Sequence, residues 1–158
     1  MSSGIFAKEP RLRPSAMATV AERRFADAEA LSDTNENARA NGVAYLVGFV
    51  VEILLKARLV DKFPQIARKQ QHEVSETERE IWRLIWRQHD LEGMLERMNE
   101  LDAALKRRGE RDGKDYSAEL KKVCATWTIQ ARYSPRTMLM TEAREWLERV
   151  RLLKELLK

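Results

Sequence analysis

The sequence predicts an all-α protein, an up-and-down helical bundle of about five main helices, and three observations predict it. Glycine (6) and proline (4) are scarce among 158 residues, and the strong helix formers Leu, Ala, Glu, Arg and Lys dominate. Apolar residues recur at three/four spacing through most of the chain, which gathers them on one face of a helix. One stretch, Asn41 to Val60, is aliphatic on nearly every helical face, so it predicts a helix buried on most sides with amphipathic helices packed around it. A chain of this length is expected to form one domain, residues 15–158, with a substantial core.

Residues 1–14, with Ser2-Ser3-Gly4, Pro10 and Pro14, read as a disordered tail. A helix from Ser15 carries Met17, Val20, Ala21, Ala28 and Leu31 on one face, and Ser32-Asp33-Thr34-Asn35 supplies turn and cap residues after it. The central helix is predicted from about Glu36 to Asp61, stopped by Phe63-Pro64 because proline disfavours the α conformation in the residue before it. A polar helical turn is expected from Gln65 to His72.

Ser75-Glu76-Thr77-Glu78 matches a capping box. It predicts a helix with Ile81, Leu84 and Ile85 inward and Trp82, off the Ile81/Ile85 stripe, available to an interface. Asp90 is placed to cap a further helix carrying Leu91, Met94, Leu95, Met98, Leu101 and Leu105, which puts His89 at a helix junction. The charged run Lys106 to Lys114, with two glycines, reads as an exposed connector whose Lys106, Arg107, Arg108 and Arg111 could steer RNA. Ser117 is expected to cap the next helix, with Leu120, Val123, Cys124 and Trp127 inward and an end near Ala131. Ser134-Pro135 has the form of a helix start with proline at the first position. Leu139, Ala143, Trp146, Val150, Leu153 and Leu157 then make the stripe of the last helix.

The totals exclude several classes. The formal charge of +4, from 29 basic and 25 acidic residues, is a mixed surface with a mild basic bias, compatible with phosphate-bearing partners. A single cysteine, Cys124, cannot form an intrachain disulfide, and no Cys/His cluster has metal-ligand spacing, so neither metal nor other cofactor is expected. Glu52 and Lys56 interrupt the aliphatic stretch after an uncharged run from Gly42 to Val51, short of the about 20 apolar residues a membrane span needs. Lys8, Arg11 and Arg13 are followed by no apolar segment, so a secretory signal is not expected and a cytoplasmic protein is.

Three places carry candidate chemistry. Glu52 and Lys56 are one helical turn apart, either as a simple pair or with Lys56 meeting a phosphate and Glu52 fixing its position. His89 either bonds a neighbouring backbone group, or it binds a base or phosphate, or serves as general base on a ribose hydroxyl. Arg132 and Tyr133 precede the expected helix start at Ser134, where free amides favour anions. There Arg132 could hold phosphate by two parallel bonds and Tyr133 could stack on a base, or the two could be a carboxylate partner and a core-edge ring. The four tryptophans, at helical positions, are expected in the core or an interface, and Cys124 is expected to be an inert thiol.

Three pieces, in order, resemble the HEPN domain family (higher eukaryotes and prokaryotes nucleotide-binding). Ala44-Tyr45-Leu46-Val47-Gly48-Phe49-Val50-Val51-Glu52-Ile53-Leu54-Leu55-Lys56-Ala57 is similar to that family's second helix, with its Glu-x-x-Leu-Lys ending. His89-Asp90-Leu91, followed by Met94-Leu95, is similar to its His-x-Leu-x-x-Leu helix start. Arg132-Tyr133-Ser134-Pro135 is similar to the Arg-Tyr segment before the last helix in members that accompany nucleotidyltransferases. One branch of the family comprises metal-independent ribonucleases, often the toxins of toxin–antitoxin pairs, with Arg followed by four to six residues and then His near the late helices. Here the string that fits is Arg83-Leu-Ile-Trp-Arg-Gln-His89. It lies in the His-x-Leu segment instead, and six residues on a continuous helix set the two side chains about 240° apart.

The resemblance therefore implies the other branch. That is a non-catalytic nucleotide- or nucleic-acid-binding domain, a homodimer through its long central helices, accompanying a minimal nucleotidyltransferase made as a separate chain. Its binding site would comprise Glu52, Lys56, His89, Arg132 and Tyr133. The alternative is a metal-independent ribonuclease in which Arg83 holds phosphate and His89 is the base. A second alternative is a protein-interaction module without a ligand.

Overall fold

A computed structural model describes residues 13–158, and of Gln130 and Arg132 the backbone alone. The expected tail thus lies outside the described residues except for its end, and Pro14 is already helical. Helix α1 (Pro14–Asp33) begins with that proline at its first position, where a missing N–H costs nothing. Met17, Ala21, Phe25, Ala28 and Ser32 form its buried face at four- and three-residue steps. Ser32 and Asp33 are therefore helical rather than a loop. Asn35 (φ 56°) makes the turn in the left-handed region that asparagine tolerates.

A 3₁₀ turn at Asn37–Arg39 leads into α2 (Ala40–Lys62), so the α-helix proper begins four residues later than the sequence predicts. Val43, Val47, Val50, Val51, Leu54, Leu55 and Leu59 are all buried, which leaves little of its circumference to solvent. It ends at Phe63, ahead of Pro64, as predicted. Helix α2 is the shared neighbour of the molecule, packing against α1, against α8 (Met140–Leu157) and against the three short helices that lie between residues 64 and 96. Arg58 of α2 donates from Nε to the carbonyl of Leu157 at 2.8 Å, covering the open end of the last helix.

Between these long helices lie α3 (Pro64–Ala67), α4 (Arg79–Trp86), α5 (Leu91–Glu96), α6 (Asn99–Asp112) and α7 (Tyr116–Thr126), and every regular element among the described residues is helical. The protein is an all-α helical bundle. One apolar core runs from Met17 to Leu157.

Several local expectations are corrected. The turn expected from Gln65 to His72 is instead α3 and a 3₁₀ turn at Gln71–Glu73. Glu78 does reach back to the Ser75 N–H (3.1 Å), but the Ser75 hydroxyl donates to the same carboxylate, so a turn precedes α4 and the helix starts only at Arg79. Trp82, expected at an interface, is buried, and its indole N–H donates to the carbonyl of Lys69 at 2.9 Å. The Asp90 cap forms, accepting from the Gly93 N–H at 2.9 Å, but the helix it opens stops at Glu96 and α6 begins anew at Asn99.

The run Lys106–Lys114 is a helix as far as Asp112, because Lys106 pairs with Asp102 and Arg108 with Asp112 one turn away, and Gly113 (φ 65°) supplies the left-handed cap. Asp115, not Ser117, caps α7 by accepting from the Ala118 N–H at 2.9 Å, while the Ser117 hydroxyl is buried on Asp102. Helix α7 ends at Thr126. Ser134-Pro135 starts no helix: α8 begins at Met140, behind an exposed Leu139.

Candidate functional site

Glu52 is the most deeply buried charged side chain among the described residues, 1% exposed in the middle of α2. An ionised carboxylate removed from water needs partners, and Glu52 has two. Lys56, one turn along the same helix, places Nζ 2.8 Å from Oε1, and His89 places Nδ1 2.8 Å from that same oxygen. The first contact follows from helix geometry. The second is tertiary, across 37 residues of sequence.

The link between α4 and α5 explains why His89 arrives there. Helix α4 ends where the N–H groups of Arg87 and Gln88 both donate to the Arg83 carbonyl, each at 2.8 Å. Asp90 immediately caps α5. Leu84 and Ile85 before the link and Leu91 and Met94 after it are buried in the core. The three residues between the two ends have little freedom, and His89 is held against α2.

The electrostatics of the cluster are unequal. The Lys56 side chain is 13% exposed and that of His89 40%, so the ammonium is largely enclosed while the imidazole reaches solvent. Because a carboxylate only accepts, Nδ1 is the donating nitrogen, and Nε2 is left on the far side of the ring as the atom available to a ligand. Glu52 Oε2 is buried with no hydrogen-bond partner, the one such side-chain atom among the described residues. An unpaired buried oxygen of this kind costs stability and calls for an explanation. Chemically, the arrangement offers a cation and an acceptor nitrogen side by side: Lys56 for a phosphoryl oxygen and His89 Nε2 for a hydroxyl or a base N–H.

Arg83 and the Arg132-Tyr133 segment do not join this cluster. Arg83 is exposed on α4, opposite the buried Leu84 and Ile85, and among the described residues it makes no bond to Glu52 or His89. Tyr133 is 72% exposed, in a 3₁₀ turn (Ile129–Tyr133) that packs against α2. The Arg132 side chain lies outside the described residues. That segment is fastened near the start of α2: Asn41 donates from Nδ2 to the Arg136 carbonyl (2.6 Å) and accepts the Met138 N–H at Oδ1 (2.8 Å). Asn37 accepts the Met140 N–H (2.8 Å). From Ala44 to Glu52 the helix rises about 12 Å, which separates the two regions.

A cleft of about 440 Å³ opens beside this segment, lined by Asn41, Ala44, Thr128, Ser134, Arg136 and Glu142 among others. The clamping role of Asn37 and Asn41 carries no sequence signal, since an asparagine near a helix start reads equally well as a cap.

Other candidates resolve into structure. Lys106 and Arg108 are spent on intrahelical pairs. Cys124 is buried, and desolvation pushes its thiol up to about 12. Among the described residues no group of three or more His, Cys, Asp or Glu could hold a metal, and no helix is long and apolar enough to cross a membrane. Comparison of the chain with protein-family models, with curated proteins and with solved structures finds no match to any of them.

Proposed function

We propose that this chain is a non-catalytic, HEPN-like domain that binds a nucleotide or nucleic-acid segment through Lys56 and His89, with Glu52 positioning both. The single observation behind the proposal is the shared oxygen, Glu52 Oε1, which brings a lysine ammonium and an imidazole Nδ1 to 2.8 Å each, while His89 Nε2 has no partner among the described residues. A merely solubilising pair has no reason to be buried: an exposed pair of this spacing is worth only about 0.2–0.5 kcal/mol, and burial of a carboxylate costs more than that. A cationic donor beside an acceptor nitrogen matches a phosphoryl oxygen and a hydroxyl or base N–H of one nucleotide. The resemblance to HEPN domains adds the context of a homodimer that accompanies a separate nucleotidyltransferase chain.

A second reading draws on the same histidine. An imidazole braced at Nδ1 by a carboxylate is also the arrangement of a general base, as a metal-independent ribonuclease would use on a ribose 2′-hydroxyl, with Arg83 on the phosphate. It is the weaker reading because Arg83 lies on the outer face of α4, away from Glu52.

The test is incubation of the purified protein, in chelator, with labelled single-stranded RNA and separately with nucleoside triphosphates. The variants Lys56→Gln and His89→Ala are compared with wild type. The proposal expects intact RNA, triphosphate binding without turnover, and at least a tenfold loss of affinity in both variants. Cleavage that vanishes in His89→Ala would replace it with the ribonuclease. Intact RNA with no binding at all would leave a protein-interaction module.

A further inference from the structure

Helix α4 carries arginines at positions 79 and 83, and Arg87, four residues further on, is its C-cap. Each step advances about 40° around the helix and about 6 Å along it, so the three start from positions spread over about 80° of one side. All three are exposed, and among the described residues none is in an ion pair. The two acids that flank Arg79 in the chain are committed elsewhere: Glu78 to Lys69 (2.7 Å) and Glu80 to Arg97. The Arg87 guanidinium lies 5.8 Å from the Trp82 ring centroid, which steadies the side chain without neutralising it.

Two more features adjoin this row. Trp86, at the end of α4, is 37% exposed, and its indole N–H has no hydrogen-bond partner among the described residues. The row lies on the outer face of α4 and comes near the site only at its Arg87 end, two residues before His89 in the chain.

We infer that α4 is a track for the backbone of a single-stranded nucleic acid that leads into the Lys56/His89 site. This deepens, and rests on, the phosphate-binding reading of that site. Three unneutralised guanidinia at a repeat of about 6 Å suit successive phosphates of an extended strand. The half-exposed Trp86 suits an unstacked base, which a single strand offers and a duplex withholds. The ligand class is therefore a short oligonucleotide, with the mononucleotide being the part held at Lys56 and His89.

The experiment compares a labelled 12-residue oligouridylate with uridine triphosphate across a salt series. It uses wild type, the triple variant Arg79→Gln/Arg83→Gln/Arg87→Gln, and Trp86→Ala; thermal melts check that each is folded. Wild type is expected to bind the oligonucleotide at least tenfold more tightly than the triphosphate at low salt. The triple variant should fall to the triphosphate level, with the slope of log affinity against log salt reduced by about 2, at roughly 0.7 per phosphate released. Trp86→Ala should weaken the oligonucleotide about tenfold. Triphosphate affinity should be unchanged in both.

An oligonucleotide bound no better than the triphosphate, or a triple variant with the wild-type salt slope, overturns the track and leaves the Lys56/His89 site intact. Polyglutamate of equal length binding equally well overturns it too, since the surface would then be a general polyanion site. Arginine-dependent oligonucleotide binding that ignores Lys56→Gln and His89→Ala would instead sink the phosphate site while the track survives.

Discussion

Removal of the Glu52 carboxylate should destabilise the protein far more than its loss together with Lys56. Glu52 is 1% exposed and accepts from Lys56 Nζ and His89 Nδ1, each at 2.8 Å. In Glu52→Ala the Lys56 ammonium stays in an enclosed position, its side chain 13% exposed, with its counter-charge gone. Breaking a buried pair in this way costs about 3–5 kcal/mol. The lost methylene adds about 0.8 kcal/mol. His89, 40% exposed, can exchange its bond for water and adds little.

An expectation of about 4–6 kcal/mol follows for Glu52→Ala. In Glu52→Leu/Lys56→Leu both charges go, and so does the unpaired Oε2, whose burial is itself a cost. Replacing a whole buried pair by apolar groups is often neutral or stabilising, so the double variant should lie within about 1 kcal/mol of wild type or above it. Urea unfolding followed by circular dichroism at constant m measures both. If Glu52→Ala loses less than about 1 kcal/mol, or the double variant is as unstable as the single one, the pair is not the enclosed charge cluster described above. Nucleotide affinity should be lost in both variants, which separates what the cluster does for binding from what it costs in stability.

Gly48→Ala would set a Cβ 1.9 Å from Cδ1 of Trp127, whose buried ring is tied by its N–H to the Tyr45 carbonyl at 3.2 Å. The strain of about 1–3 kcal/mol should exceed the gain of about 1 kcal/mol in helix propensity, and a variant more stable to urea than wild type would contradict this. Cys124, its thiol raised to about 12 by burial, should react with maleimide at pH 8 only after unfolding; prompt stoichiometric labelling of the native protein would show that α7 does not enclose it. Glu78 is held down from 4.5 to about 2, first by Lys69 and then by the Ser75 N–H and hydroxyl. A depressed folded value means that its contribution is complete above 4.5 and is lost as the pH falls toward 2. Glu78→Gln should therefore flatten the fall of Tm over that interval, and an unchanged acid limb would refute the assignment.

What the sequence by itself determined is whatever depends on neighbours three or four residues apart. Most of the faces of α1 and α8, the burial of α2 on most sides, the stop at Phe63-Pro64 and the cap at Asp90 were legible, because helical periodicity and end chemistry are local; Val20 and Leu139, placed on those faces by spacing, are exposed, while Phe25, Met140 and Leu147 are buried. So was the pairing of Glu52 with Lys56, a matter of one turn. The run Lys106–Lys114 was misleading because two glycines and many charges resemble a connector; only the intrahelical pairs and the left-handed cap at Gly113 show that the helix ends there rather than begins to fray.

Tertiary structure decided the rest. It buried Trp82 beneath the Lys69 carbonyl, gave Ser117 to Asp102 instead of a cap, and fastened the 136–140 stretch to Asn37 and Asn41 just after the expected helix start. It also brought His89 to Glu52 across 37 residues. That contact depends on how the α4–α5 link docks on α2, which is set by the burial of Leu84, Ile85, Leu91 and Met94 together and not by any pattern within reach of either residue.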